Sequence, residues 1–208
     1  MTPRRTFVRA GEEHRRAALI EATLDLIAEG GPQAATVRAI ALRAGVTPGL
    51  IRHYFATKEE LVAAAHERLM TGLTEASCAR LDEMPDNPLA RLSGFIAASL
   101  SPPVTDPRSV ALWAASMQLV PRDAAMRAVH ERTYLAFRDR LEALIADVLD
   151  ASGQSRTDAQ HLAIAGNALL DGLWLEAGAL PDQFEAAPLV ALAISAFERL
   201  LNVELPKV

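Results

Sequence analysis

A chain of 208 residues, half of them apolar and only 5% aromatic, is long enough for one large or two modest domains with a buried core, and its wealth of Ala and Leu favours helices over sheets. The net charge of −5 argues against a nucleic-acid partner only if taken whole: residues 1 to 58 hold nine Lys or Arg against five acids, a balance of +4, and residues 59 to 208 hold twelve against twenty-one, a balance of −9. The single Cys78 excludes an intramolecular disulfide and a multi-thiolate metal site, while the absence of a membrane-length apolar run or an apolar leader predicts a cytoplasmic protein without a membrane partner.

Residues 1 to 11 mix Arg4, Arg5 and Arg9 with Pro3 and Gly11 and read as a loose arm, either lying against DNA or simply solvated. From Glu12 to Glu29 the spacing of Ile20, Leu24 and Ile27 predicts an amphipathic helix, stopped by Gly30-Gly31-Pro32, with Arg15 and Arg16 on its outer face. Val37, Ile40, Ala41 and Ala44 then recur at helical spacing behind Thr36, whose side chain suits the cap position. Gly45 is the residue type that most easily takes the left-handed conformation after a helix, and Val46 is expected to turn inward.

Thr47 and Pro48 open a short helix with Leu50, Ile51, Tyr54 and Phe55 on its inner face. Thr57 followed by Glu60 makes a capping box for the next, long helix. Two short helices joined by a tight Gly-containing turn form a helix-turn-helix, whose second helix lies in the major groove. If the short helix from Thr47 to Phe55 takes that position, Arg52 can contact guanine O6 and N7 in bidentate fashion, His53 can donate to a base or a phosphate, Gly49 lets the backbone come close, and Pro48 can pack on a thymine methyl. The contrary reading makes Tyr54 core and Arg52 a solvated cation.

The run Gly45-Val46-Thr47-Pro48-Gly49, followed by His53-Tyr54-Phe55 and Lys58-Glu59-Glu60-Leu61, resembles the DNA-binding domain of the TetR family of bacterial transcription regulators, in register from Arg15 to Leu61. Arg52 stands where many members have a tyrosine, and the Ile51-x-His53-Tyr54-Phe55 variant is similar to the choline-responsive betaine regulators. The resemblance implies that Tyr54 and Lys58 bind phosphates, that Thr36, Thr47 and Arg38 add phosphate contacts, and that binding represses.

The helix opened by Thr57 is expected to continue to about Met84, with Cys78 as a packing residue, before the breaker Met84-Pro85-Asp86-Asn87-Pro88. Amphipathic segments follow over 87–100, from Asp106 through an apolar helix bearing Trp113, Met117 and Val120, and over Arg122 to Ala151 with Tyr134 and Phe137. The last two long helices are expected over Asp158 to Gly178 and Ala187 to Asn202. On the final one Leu189, Val190, Ala193, Ile194, Phe197, Leu200 and Leu201 make a stripe wider than one packing seam requires, which implies a second copy packed on the last two helices. The TetR resemblance implies the same arrangement.

The expected fold is all-α: a three-helix helix-turn-helix domain over residues 1–57, with its arm over 1–11, and a helical regulatory and dimerisation domain over 58–208. A two-fold dimer reads two half-sites, so the operator is expected to be an inverted repeat. In the body, Trp113, Met117, Tyr134, Phe137, Asp171 and Trp174 are the candidate ligand residues, an apolar and aromatic set with one acid that suits a cationic or quaternary ammonium effector. Trp113 and Trp174 equally suit plain core or dimer packing.

No catalytic residue, cofactor or metal ligand is predicted. His14, His53, His66, His130 and His161 lack metalloprotease spacing, and neither a nucleophile elbow nor a phosphate loop occurs. A helical protein-binding scaffold is the alternative reading, which lack of operator binding would favour.

Overall fold

The computed structural model describes residues 4–79, 81, 84, 86–180 and 182–207, with side chains from residue 11 onward. Among the described residues it is all helix and turn: α1 (Arg4–Gly30), α2 (Val37–Arg43), α3 (Pro48–Tyr54), α4 (Lys58–Cys78), α5 (Pro88–Ser99), α6 (Pro107–Met117), α7 (Ala124–Ala151), α8 (Ala159–Ala179) and α9 (Ala186–Leu201). No helix among them is long and apolar enough to cross a membrane.

Two compact units result, Met1–Leu69 with Ala111–Glu131, and Met70–Val110 with Arg132–Val208. The expected boundary at residues 57 and 58 marks the start of α4, whereas the division by packing falls within α4, α6 and α7.

In the first unit Leu19, Ile20, Leu24 and Ile27 of α1 share a core with Ile40, Ile51, Phe55, Leu61, Val62, Leu112 and Met126. Local chemistry sets the breaks between these helices. The Thr36 hydroxyl oxygen accepts from the backbone N–H of Ala39 at 3.2 Å and caps α2. Gly45, at φ +66°, ends it. Val46 N–H then donates to Ala41 O at 2.9 Å and Gly45 N–H to Leu42 O at 3.2 Å, the paired bonds of a Schellman stop. Val46 packs inward as expected.

The capping box at α4 also forms: Glu60 N–H donates to the Thr57 hydroxyl oxygen at 3.1 Å, and the Glu60 carboxylate reaches back to Ala56 N–H at 2.7 Å.

Three local expectations change. Residues 4–11 belong to α1 and are not a loose arm, because Gly11 costs a helix only about 1 kcal/mol relative to alanine and no proline stands between Arg4 and Gly30 to break it. Thr47 occupies the cap position of α3 but makes no side-chain capping bond. Helix α4 ends at Cys78, before the Met84–Pro88 breaker, of which Pro85 lies outside the described residues, as do Pro3 and Pro181.

In the second unit α5 and α8 both pack on α9. Gly166 allows a close approach of α8 to α9: a Cβ there would stand 2.7 Å from the ring of Phe197, which is wholly buried. Leu189, Val190, Ala193, Ile194, Phe197 and Leu201 are buried within the chain itself and Leu200 is half-buried, so most of the wide stripe of α9 is absorbed internally. The large apolar side chains left exposed in this unit are others, Ile164 (46%) and Leu175 (36%) on α8, Leu180 (54%) just after it and Leu192 (55%) on α9.

Candidate functional site

In the head, α3 divides into two faces. Ile51 and Phe55 are buried in the core, Tyr54 is half-buried against it and Leu50 is half-buried, whereas Pro48, Gly49, Arg52 and His53 are exposed. A heptapeptide helix fixed on one side by apolar anchors presents the residues between them as a block. The His53 ring meets the Tyr54 ring edge-on at 5.1 Å between centroids, so the two aromatics hold each other in place. Gly49 has open space where a Cβ would be, and its φ is not in the left-handed region; the fold itself therefore does not demand glycine there.

Around α3 stand Thr36, Arg38 and Thr47, all exposed, and half-buried Lys58 at the first residue of α4. The Thr36 hydroxyl spends a lone pair on its cap and keeps its O–H as a donor. Thr47 makes no such cap bond. Lys58 is the first residue of a 21-residue helix, at the end where the helix dipole favours an anion, beside Glu59 and the capping Glu60.

Not every cation of the head faces outward in this way. Arg43 bonds Glu29 through both Nη atoms at 2.8 and 2.6 Å and lies 3.7 Å from Asp25, which ties α2 to α1. Arg16 lies 5.0 Å over the Phe55 ring and braces the end of α3. Helical spacing places Arg16 only on the outer face of α1; its ring partner, 39 residues further on, lies beyond the reach of any helical repeat.

In the same unit His66, only 2% exposed, meets His130 with Nε2 3.2 Å from Nδ1, and its own Nδ1 is buried without a partner. Burial first, then repulsion from His130, lowers His66 to about 4; burial also lowers His130. Both are thus neutral imidazoles at neutral pH. Among the described residues no group of three or more His, Cys, Asp or Glu is placed to hold a metal.

The six candidate ligand residues divide between the units: Trp113 and Met117, both half-buried, in the first, and Tyr134, Phe137, Asp171 and Trp174 in the second. Tyr134 of α7 donates its hydroxyl to Asp171 Oδ2 of α8 at 3.0 Å. Asn167, one turn before Asp171, donates its amide N–H groups to the Tyr134 oxygen at 2.6 Å and to Asp171 Oδ2 at 2.9 Å. Burial, and then the Asp171 charge and hydrogen bond, push Tyr134 up to about 12, while burial raises Asp171 against the hydrogen bonds that lower it. Phe137 packs with Phe95 at 5.1 Å between centroids, and Trp174 gives its Nε1–H to Val104 O at 2.7 Å, so both are committed to the core of their unit.

Asn167 was missed in sequence. A lone amide in the apolar run of α8, four residues before the only acid of its middle, was the signal that could have found it.

A surface cleft of about 430 Å³ lies elsewhere in the second unit, lined by Asp86, Arg91, Asp147, Asp150 and Arg156 among others, and none of the candidate residues borders it. Its charges pair internally, Arg156 with Asp150 and, at 3.5 Å, with Asp147.

Residues 19–65 match the bacterial regulatory proteins of the tetR family, and residues 88–202 match the BetI-type transcriptional repressor C-terminal domain. The HTH-type transcriptional regulator BetI 2 of Chromohalobacter salexigens is 31% identical over 196 residues, covering 92% of this chain and 90% of its own. The crystal structure of a transcriptional regulator from Pseudomonas aeruginosa PAO1 is 34% identical and superposes with a TM-score of 0.85 over 92% of each chain. That of a regulator from Saccharomonospora viridis in complex with choline shares the fold, with a TM-score of 0.75 at 18% identity over 90% of this chain and 96% of its own. The two-faced α3, the capped turn before it and these matches over nearly the whole chain identify a DNA-binding transcriptional regulator, a member of the TetR family with a BetI-type C-terminal domain.

Proposed function

We propose that the chain is a cytoplasmic homodimeric repressor, without catalytic activity, that reads an inverted-repeat operator and leaves it when a small organic cation binds the body. The observation that carries the DNA part is the exposed run Pro48, Gly49, Arg52 and His53 on a helix whose opposite side is anchored by Ile51 and Phe55. Arg52 is the base reader, by bidentate contact to a guanine, with His53 beside it. Thr36, Arg38, Thr47, Tyr54 and Lys58 hold phosphates and set the register.

Two copies associate through α8 and α9, whose exposed Ile164, Leu175 and Leu192 stand among small exposed residues, Ala165, Ala168, Gly172 and Ala191, that permit close helix approach. The effector is cationic: Asp171 is a desolvated carboxylate beside a tyrosine ring, and the choline-bound regulator of Saccharomonospora viridis has the same fold. A ligand acts only through different affinity for the bound and released head spacings.

The test is fluorescence anisotropy with a labelled duplex from upstream of the reading frame against a scrambled duplex, at two salt concentrations. The expected result is selective binding at two chains per duplex, and an Arg52→Ala variant that loses about 1 to 3 kcal/mol on the operator with relaxed preference at one position per half-site. Equal loss on both duplexes would demote Arg52 to a backbone contact.

A further inference from the structure

The first turn of α3, Pro48, Gly49 and Leu50, carries no side chain that can donate or accept a hydrogen bond. Leu50 also stands apart from the anchors beside it. Ile51 and Phe55 are each 2% exposed in the core of the first unit and Tyr54 packs against that core, whereas Leu50 is half-buried and is not among the side chains packed on it. The expectation that Leu50 joins Ile51 on the inner face is thus corrected, because at 3.6 residues per turn Leu50 points between the directions of exposed His53 and half-buried Tyr54.

The backbone holds that direction, with Leu50 N–H donating to Thr47 O at 3.0 Å. A helical side chain leans back over the turn before it, so Leu50 covers the surface beside Gly49. That surface is open, since a Cβ on Gly49 would meet nothing. A recognition helix reads base edges through its leading residues, and here those residues offer only hydrocarbon. Among the groups that base pairs present in the major groove, the one apolar group is the C5 methyl of thymine. A branched aliphatic side chain gains by covering that methyl and loses by desolvating a donor or acceptor in its place.

We propose that Leu50 reads a thymine in each half-site by packing on its C5 methyl, one turn ahead of the contacts made by Arg52 and His53. The inference rests on the reading of α3 as the groove-reading helix, and it adds a specificity residue to it. Pro48 also offers carbon to a methyl, but its ring is tied back to the backbone and reaches less far than the Leu50 side chain.

Uracil in place of thymine removes that methyl and nothing else. The full-length protein selects a duplex from a random pool; each thymine of the selected site is then replaced by uracil in both half-sites, and affinity is measured by anisotropy. At one position the replacement is expected to weaken binding about fourfold for each half-site, the worth of one buried methyl. Leu50→Ala should bind the thymine and uracil duplexes equally there, Leu50→Gln should do the same while moving the preference toward adenine, and Pro48→Ala should keep the discrimination. Indifference to uracil at every thymine overturns the proposal and needs no variant to fold. Sensitivity that survives Leu50→Ala and Leu50→Gln, or that disappears with Pro48→Ala alone, overturns it as well. Failure to select any duplex would remove the DNA reading and this inference with it, whereas selective binding that ignores the methyl leaves the regulator standing and removes only Leu50 from the bases.

Discussion

At the scale of single residues, the exposed side of α3, which we propose faces DNA, is defined as much by what it lacks as by what it carries. A Cβ on Gly49 would meet nothing in the protein, and the residue sits in a helix at ordinary φ. Gly49→Ala should therefore leave thermal stability equal or raise it by up to about 1 kcal/mol, from helix propensity, while weakening operator binding. Parallel melting and anisotropy curves check this; unchanged affinity would remove Gly49 from the close approach to the bases. Lys58→Ala should weaken cognate and scrambled duplexes alike and reduce the logarithmic salt slope by about one, measured over a series of salt concentrations. A slope unaltered by the change would take Lys58 out of the phosphate contacts. By contrast, Arg43 holds Glu29 and Asp25, so its removal should be felt in the seating of α2 on α1 more than in the salt slope.

Between elements, the contact of His66 with His130 makes the stability of the first unit depend on pH. The unfolded chain protonates a histidine near 6.5, whereas burial and the neighbouring ring hold folded His66 near 4. Between those values the unfolded state binds the extra proton, so the stabilisation is complete above pH 6.5, is lost progressively as pH falls, and reaches its full deficit near pH 4. The deficit is on the order of 3 kcal/mol, with His130 contributing in the same direction. Chemical denaturation at a series of pH values should show this decline in the unaltered protein and a flatter profile in His66→Gln; equal profiles would assign the acid sensitivity to other groups. The helix stops were visible in advance. Thr36, Gly45, Thr57 and Glu60 act on backbone groups three to five residues away, so their spacing alone specifies the bonds they make.

At the scale of the whole molecule, the proposed dimer places Ile164, Leu175 and Leu192 between two copies. Leu192→Glu with Ile164→Glu should halve the mass found by sedimentation, with little change in the fold because both side chains are exposed, and should lower operator affinity by removing the second half-site contact. A dimer that survives both charges would move the interface away from these helices. The sequence determined the all-helical class, the helix-turn-helix with its caps and left-handed glycine, the basic head on an acidic remainder, and the family, because each of these is written in residue types or in spacings within one or two helical turns. Tertiary structure decided the rest. Whether the apolar stripe of α9 faced the chain's own core, how Arg16 and Arg43 were spent, and the meetings of His66 with His130 and of Tyr134 with Asp171 all depend on which helix faces come together. Residues 64 and 37 positions apart have no common periodicity to announce such a contact; only the packing of one helix on another brings them within hydrogen-bond distance.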